Sequence, residues 1–240
     1  TGIDHLCELG ITHVHLMPIF DFGSVDERFP GSNNRNWGYD PKNFNVPEGS
    51  YCSNPYNPVT RILELRQMIM KFHERGIRVV MDMVYNHMMS TVNMDNIVPG
   101  YYFRSDYLGR YTNGSGCGNE LASERPMVRK FIIDSCLHWI KDYKIDGIRF
   151  DLMELLDIDT TKEIVKKTTK LDKNFLIYGE PWKGGSSPLV NGTYKGSQKN
   201  ENFSIFNDTF RDAIRGNNHP SSGFINGNQY SSICNWSIIE

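Results

Sequence analysis

Several features that define whole classes of protein are absent from this sequence of 240 residues. Its formal net charge is −2, so it lacks the positive field that nucleic-acid-binding proteins use, and we expect no nucleic-acid partner. No apolar run approaches the ~20 residues of a membrane-spanning helix, so no membrane partner is expected either. The glycines do not follow the spacing of a phosphate-binding loop, so the sequence indicates no nucleotide site. We predict no cofactor.

Cysteine is scarce and scattered. The five cysteines are odd in number and form no Cys-x-x-Cys pair, which argues against a zinc site and against a disulfide framework. We therefore predict no metal centre. The chain does not begin with Met and opens in what reads as the middle of a helix, so we expect a fragment or a processed product. The compartment stays open between cytoplasmic and secreted, with the cytoplasm slightly favoured.

The sequence does contain a regular alternation of strand and helix patterns. Strand-like segments lie at 11–18, 77–84, 145–153, 175–180 and 203–207, and helix-like segments at 3–9, 60–75, 126–143, 160–170 and 208–215. This alternation predicts an α/β fold in which helical crossovers connect parallel strands. Two long connections, 21–58 and 88–122, read as irregular loop insertions in one domain spanning 1–240, and their length is typical of functional loops.

Polar side chains lie at or near the C-terminal ends of successive predicted strands. The second strand has Asp82, followed by Asn86 and His87; the third has Arg149 and Asp151, and the fourth ends at Glu180. Polar groups that converge from several strand ends are typical of the active face of a (β/α)8 TIM barrel. The alternative is a doubly wound open sheet, which would concentrate its site at one switch point.

Asp151 and Glu180 form a pair of carboxylates on neighbouring predicted strands. Adjacent strands lie about 5 Å apart, so the two groups can face each other at the ~5–5.5 Å separation that retaining glycosidases use. Arg149 would keep Asp151 ionised by charge pairing, and apolar neighbours would raise the pKa of Glu180, as a general acid requires. The residues therefore favour a nucleophile and an acid/base for glycoside cleavage.

Other side chains are suited to holding a sugar. Tyr39 and Trp182 offer flat faces for stacking, and Asn86 and His87 can hydrogen-bond to hydroxyl groups. A metal hydrolase remains the alternative, with Asp82, His87, Asp151 and Glu180 as its ligands. The adjacency of Asn86 and His87 disfavours it, because metal ligands are usually spaced along a helix or strand. For His13 and His15 a position in the barrel interior is favoured over a metal site.

The segments that carry these residues resemble the conserved regions of the α-amylase superfamily of glycoside hydrolases, and in particular of its type I pullulanases. The matching segments, in order, are Asn36-Trp37-Gly38-Tyr39-Asp40-Pro41, Asp82-Met83-Val84-Tyr85-Asn86-His87, Gly147-Ile148-Arg149-Phe150-Asp151 and Tyr178-Gly179-Glu180-Pro181-Trp182. The resemblance implies an incomplete (β/α)8 barrel that lacks about the first strand and the last two, and an α-glucan polysaccharide as substrate.

The resemblance also implies a role for each matching residue. Asp151 would be the nucleophile and Glu180 the acid/base. Arg149 would position Asp151. The remaining roles concern substrate binding: His87 and Tyr39 at the cleaved sugar, Trp182 on the acceptor side, and Asp82 and Asn86 in holding the site together.

Three departures from the pullulanase pattern stand out. Arg35 occupies a position where that pattern has Tyr, and Glu154 one where it has Gly. The third is the largest: the family needs a further Asp in a His-Asp motif, whereas His219 is followed here by Pro220. We expect that Asp beyond Glu240, and we expect the 240-residue chain alone to be inactive.

The prediction is thus a monomeric retaining hydrolase of α-1,6-glucosidic branch links in pullulan, starch or glycogen. Two alternatives stay open. One is another enzyme of the superfamily, isoamylase-like or glucan-branching, and the other is a non-catalytic α-glucan-binding module.

Overall fold

The computed structural model describes residues 2–29, 36–216 and 222–228. The chain forms two compact units, Thr1–Ser204 and Ile205–Glu240. The departures at Arg35, His219 and Pro220 lie outside the described residues. The assignment of 1–240 to one domain stays a prediction.

The first unit alternates strands and helices. Its strands are β1 (His13–Leu16), β2 (Phe20–Phe22), β3 (Pro41–Pro47), β4 (Arg78–Met83), β5 (Gly147–Phe150) and β6 (Leu176–Gly179); its helices are α1 (Ile3–Glu8), α2 (Pro58–Glu74), α3 (Val92–Asp95), α4 (Pro126–His138) and α5 (Ile158–Leu171). Strands β1, β4, β5 and β6 pair in parallel in that order, and α2, α4 and α5 are the crossovers between them. This confirms the predicted α/β fold, a part of a (β/α) barrel.

The register of the sheet sorts its side chains onto two faces. Asp82 on β4 lies opposite Arg149 on β5, and Arg149 lies opposite Tyr178 on β6. On β1, His15 lies opposite Val80, which stands two positions before Asp82. Register partners in a parallel sheet project to the same side, and successive residues alternate, so these polar residues share one face. The other face carries the apolar core: Val79, Met81, Met83, Ile148, Phe150 and Ile177.

Helix α2 begins earlier than its pattern predicted. The helix-like pattern began at 60, but the Asn57 side chain caps the helix by accepting a hydrogen bond from the Val59 N–H at 3.0 Å. Pro58 follows as the first helical residue, where its fixed φ suits the helix and its missing N–H is no loss. The end agrees with the prediction: Gly76, with φ of 72°, follows the helix.

A two-stranded antiparallel ribbon occupies part of the stretch predicted to be irregular. Strand β2 pairs with β3, with two register shifts between them. Along β3 every third residue is buried, rather than every second one, which hid the strand from a search for alternation. Phe44 anchors the ribbon: its ring lies 5.2 Å from that of Tyr85, and its carbonyl accepts from the Trp139 indole at 2.9 Å.

The second unit is small. A two-residue strand, β7 (Ser204–Ile205), lies at its boundary, and helix α6 (Asp208–Arg215) follows. The Asn207 side chain caps α6 by accepting from the Phe210 N–H at 2.9 Å. Among the described residues of the whole chain, no helix combines the length and the apolar content needed to cross a membrane.

Candidate active site

Arg149 lies at the centre of a cluster of carboxylates. Its Nη1 donates to Asp82 Oδ1 at 2.8 Å and to Asp151 Oδ1 at 3.0 Å, and its Nη2 pairs with Glu180 Oε1. The residue is 7% exposed. Burial lowers the pKa of Arg149, but the charges of Asp82, Glu180 and Asp151 outweigh that effect, so the pKa is raised and the guanidinium stays charged. A single cation therefore links the ends of three neighbouring strands.

Asp151 follows directly after β5 and is held by two donors. Besides Arg149, the Asn86 side-chain amide donates to Asp151 Oδ2 at 2.8 Å and to the Asp151 carbonyl at 3.0 Å. The predicted charge pairing with Arg149 is thus present. Burial nevertheless raises the pKa of Asp151, with Arg149 and Asn86 acting in the opposite direction. The carboxylate is fixed in orientation and partly withdrawn from water.

Glu180 follows β6 and faces the same cluster. Its Oε2 accepts from the Leu152 backbone N–H at 3.1 Å. Burial raises the pKa of Glu180; Arg149 and the Leu152 N–H lower it, and the charge of Asp151 adds to the increase. The raised pKa has the direction that the sequence predicted for this residue. It favours a carboxyl group that carries a proton at higher pH than a free Glu does.

The backbone between the two carboxylates is strained at Leu152. This residue adopts φ of 41° and ψ of 52°, in the left-handed region that residues other than Gly rarely enter. Leu152 directly follows Asp151, and this conformation turns the Leu152 N–H toward Glu180. Nothing in the sequence pattern indicated this contact, since Leu carries no sign of a left-handed turn.

The buried ion pair of Arg104 with Glu120 stabilises the 3-10 turn Met153–Leu155, which follows Leu152. Arg104 Nη2 donates to the carbonyl of Leu155 at 2.9 Å, and Arg104 Nη1 pairs with Glu120 Oε2 at 3.0 Å. The side chains of Arg104 and Glu120 are 3% and 0% exposed. Leu155 ends the 3-10 turn Met153–Leu155, so the brace holds the segment just beyond Asp151.

We predict that Arg104→Leu lowers the free energy of unfolding by about 3–5 kcal/mol, because it leaves the Glu120 charge buried without its main partner. Urea unfolding of the complete protein measures this. The matched control is Arg110→Leu, which breaks the exposed pair of Arg110 with Asp106 and is expected to change stability by less than about 1 kcal/mol. Equal losses in the two variants would contradict the assignment of a buried brace.

Asn86 and His87 lie beside Asp151 and are hydrogen-bonded to each other. His87 Nδ1 donates to Asn86 Oδ1 at 2.6 Å, since an amide oxygen can only accept. Burial lowers the pKa of His87, with Asp151 acting in the opposite direction, so the ring is held neutral near pH 7. The Asn86 amide is fixed at both ends, by His87 and by Asp151.

Asp82 is the buried anchor of the cluster. It is 1% exposed, and besides Arg149 on Oδ1 it accepts on Oδ2 from the Tyr39 hydroxyl at 2.7 Å. Burial raises the pKa of Tyr39, and the hydrogen bond to Asp82 raises it further, so the phenol stays protonated. His15 Nε2 lies 3.2 Å from the same Oδ2, and the Tyr178 hydroxyl lies 3.1 Å from His15 Nδ1.

Comparison with known proteins identifies the family. The family model for the α-amylase catalytic domain matches residues 1–98. The chain is 44% identical to the pullulanase of Bacillus subtilis (strain 168) over 97% of its own length and 33% of that protein. Among solved structures, the Anoxybacillus sp. LM18-11 pullulanase complexed with maltotetraose superposes with a TM-score of 0.94 at 43% identity, covering 99% of this chain and 35% of that one.

A second solved structure agrees with the first. The Paenibacillus barengoltzii pullulanase, complexed with maltohexaose and alpha-cyclodextrin, gives a TM-score of 0.90 at 45% identity, over 94% of this chain and 36% of that one. The chain belongs to the pullulanases of the α-amylase family. It spans about a third of the length of the pullulanases that it matches.

Glu154 is one of the departures from the pullulanase pattern, and its side chain forms an ion pair. Glu154, where that pattern has Gly, forms an ion pair with Lys183 at 3.0 Å. The pair joins the turn after Asp151 to the loop after Glu180. This loop also packs tightly at Gly184, where a Cβ would lie 2.3 Å from the carbonyl oxygen of Ser115. The loop after β6 is therefore held close to the long connection after β4.

The structure brings most of the residues predicted from the pullulanase resemblance into one hydrogen-bonded cluster: Tyr39, Asp82, Asn86, His87, Arg149, Asp151 and Glu180. Trp182 is partly exposed on the loop after β6, and its stacking role stays a prediction. Three contributors were missed: the Leu152 N–H, His15 as a partner of Asp82, and Tyr178. For Tyr178 a signal existed, because it stands two positions before Glu180 and strand alternation puts both on one face.

Proposed function

We propose that the complete protein carrying this chain is a retaining glycoside hydrolase that cleaves α-1,6-glucosidic branch links in α-glucans such as pullulan, starch and glycogen. One observation carries the proposal: Asp151 and Glu180 leave neighbouring parallel strands, and Arg149 contacts both. A pair of carboxyl groups in different environments is the arrangement that glycoside cleavage with retention requires.

In the first step Asp151 attacks the anomeric carbon while Glu180 donates its proton to the leaving glycosidic oxygen. Asn86 and Arg149 hold the attacking carboxylate in one orientation, which removes rotational freedom that the reaction would otherwise have to overcome. Burial and the charge of Asp151 raise the pKa of Glu180, which favours the protonated acid before attack.

In the second step Glu180 removes a proton from water, and the water breaks the bond between Asp151 and the sugar. While that bond exists, the Asp151 carboxylate is an ester and carries no negative charge. One cause of the raised pKa of Glu180 is then absent, so the same group becomes a carboxylate and can act as the base. Arg149 remains in contact with both groups throughout.

The proposed substrate is an α-glucan, with a sugar ring stacked on Tyr39. The Tyr39 hydroxyl is fixed by Asp82, so the ring has a defined orientation next to the carboxylates. Neutral His87 and partly exposed Trp182 supply the other sugar contacts. The solved pullulanase structures that the chain resembles contain maltotetraose in one case and maltohexaose with alpha-cyclodextrin in another, which supports this class of ligand.

The test is product analysis of the complete protein on pullulan, in which α-1,6 links join maltotriose units. We expect maltotriose as the main product, released first as the α-anomer, as seen by proton NMR. Release of chains from glycogen without action on pullulan would support an isoamylase-like enzyme instead. New branches without new reducing ends would indicate a branching enzyme, and binding without any change in the glucan a non-catalytic module. Each of these three results contradicts the proposal.

A further inference from the structure

We infer that His15 and Tyr178 are positioning residues, which hold Asp82 and through it fix Arg149 between the two candidate catalytic carboxylates. The inference rests on the proposed function for its kinetic readout. His15 contacts Asp82 directly, and Tyr178 contacts His15, so the effect of both residues on Arg149 passes through Asp82.

A continuous chain of contacts crosses the face of the sheet that carries the site. The Tyr178 hydroxyl lies 3.1 Å from His15 Nδ1, His15 Nε2 lies 3.2 Å from Asp82 Oδ2, and Asp82 Oδ1 accepts from Arg149 at 2.8 Å. The rings of His15 and Tyr178 also meet edge to face, with centroids 5.8 Å apart. The chain begins on β6, passes to β1, and returns through β4 to β5.

The partners of His15 fix its tautomer. An ionised carboxylate only accepts, so Nε2 carries the proton that it donates to Asp82. In the neutral ring Nδ1 is then an acceptor, and the Tyr178 hydroxyl can donate to it. Tyr178 thus selects the tautomer that serves Asp82, in the way that a second hydrogen bond commonly orients a histidine.

Asp82 is sensitive to the loss of a donor because it is 1% exposed, and a buried carboxylate oxygen that loses a hydrogen bond is destabilised. Without His15, the hydrogen bond from Tyr39 is the one that Oδ2 keeps among the described residues. The carboxylate is then free to rotate toward Tyr39, and Arg149, which Asp82 anchors, shifts with it. Arg149 contacts both Asp151 and Glu180, so a small displacement reaches the reacting groups.

The same contacts join β1 and β6, which are not neighbours in the sheet. In the pairing order β1, β4, β5, β6, strands β1 and β6 are separated by two others, yet His15 and Tyr178 touch. The contact requires the sheet to curve strongly, and it opposes flattening. The curvature sets how closely the strand ends that carry Asp82, Asp151 and Glu180 approach one another.

Steady-state kinetics of the complete protein on pullulan tests the inference. His15→Leu is expected to lower kcat about tenfold with KM changed less than about twofold, since a displacement of well under 1 Å at the reacting groups is enough for such a loss. His15→Gln has an amide N–H for Asp82 and an amide oxygen for Tyr178, so it should recover most of kcat. His15→Asn, one methylene shorter, should not recover it, and this comparison serves if the Leu variant does not fold.

Tyr178→Phe supplies the coupling test. Because Tyr178 acts through His15, the double variant His15→Leu/Tyr178→Phe should lose no more than His15→Leu alone. Multiplicative losses would overturn the inference, and so would a kcat for His15→Leu within twofold of wild type, or a Gln variant as slow as the Leu variant at equal thermal stability. His13→Leu, on the same strand and hydrogen-bonded to the Thr12 side chain, is the matched control.

A second readout does not depend on activity. Imidazole nitrogen NMR should show His15 protonated at Nε2 and unprotonated at Nδ1, and Tyr178→Phe should disturb this tautomer. A wild-type protein that shows the tautomer but cleaves no α-glucan would overturn the proposed function alone. An active wild type with the proton on Nδ1 would overturn the inference alone.

Discussion

Replacing Asp151 by Asn is expected to lower kcat on pullulan by at least about 10⁴-fold, because the amide cannot form the covalent bond to the sugar. The substitution keeps the size of the side chain and an oxygen that can accept from Asn86 or Arg149, so the fold should be little affected. Release of reducing ends measures the loss, and circular dichroism checks the fold. Near-normal activity would exclude Asp151 as the nucleophile.

Two controls sharpen this result. Asp134→Asn makes the same chemical change on the exposed side of α4, in a pair with Lys130, and should leave kcat unchanged. Asp151→Ala opens space beside the anomeric carbon, and added azide should attack there from the side that Asp151 occupied. The azide product of an activated α-glucosyl fluoride should then have the β configuration. An α-azide would indicate that a different nucleophile remains.

Replacing Glu180 by Gln is expected to lower kcat on pullulan by about 10³-fold, because the leaving oxygen is no longer protonated. An α-maltosyl fluoride needs no acid, since fluoride leaves without a proton. For that substrate the first step should stay within about tenfold of wild type, and a burst of fluoride release measures it. Equal losses on both substrates would contradict an acid/base role for Glu180.

The raised pKa values of Asp151 and Glu180 predict how activity depends on pH, both in the wild type and in the Glu180→Gln variant. Glu180 must be protonated, so wild-type activity falls as the pH rises through the pKa of Glu180. Asp151 must be ionised, so activity also falls as the pH drops through the pKa of Asp151. Burial raises both pKa values and moves the active range above that of two free carboxyl groups. With the fluoride substrate, Glu180→Gln should lose the fall at high pH and keep the one at low pH.

Strand pairing in the sheet determines which side chains surround Arg149. Arg149 is a register partner of Asp82 on one side and of Tyr178 on the other, so its neighbours are set by strand pairing rather than by sequence distance. Asp151 follows on the same strand face two positions later. The charge of Arg149 can therefore compensate three carboxylates that lie far apart in the chain.

Strand alternation and helix periodicity were enough to predict the order of the parallel strands and their connecting helices, and that Arg149 and Asp151 share one strand face. These are short-range patterns, and each strand displays its own. The ribbon of β2 and β3 was not predictable in the same way, because burial along β3 follows a spacing of three residues that a local search does not associate with a strand.

The sequence by itself determined the parallel α/β fold, the residue types at the strand ends, and the resemblance to pullulanases, because all three depend on residues close together in the chain. The tertiary structure decided which of those residues meet and in what state. The contact of Tyr178 with His15 depends on the curvature of the sheet, and the left-handed turn at Leu152 depends on the contacts around it. The raised pKa of Asp151 depends on how deeply it is buried beside Arg149. Burial and curvature are properties of the whole packed sheet, and no single segment of the sequence encodes them.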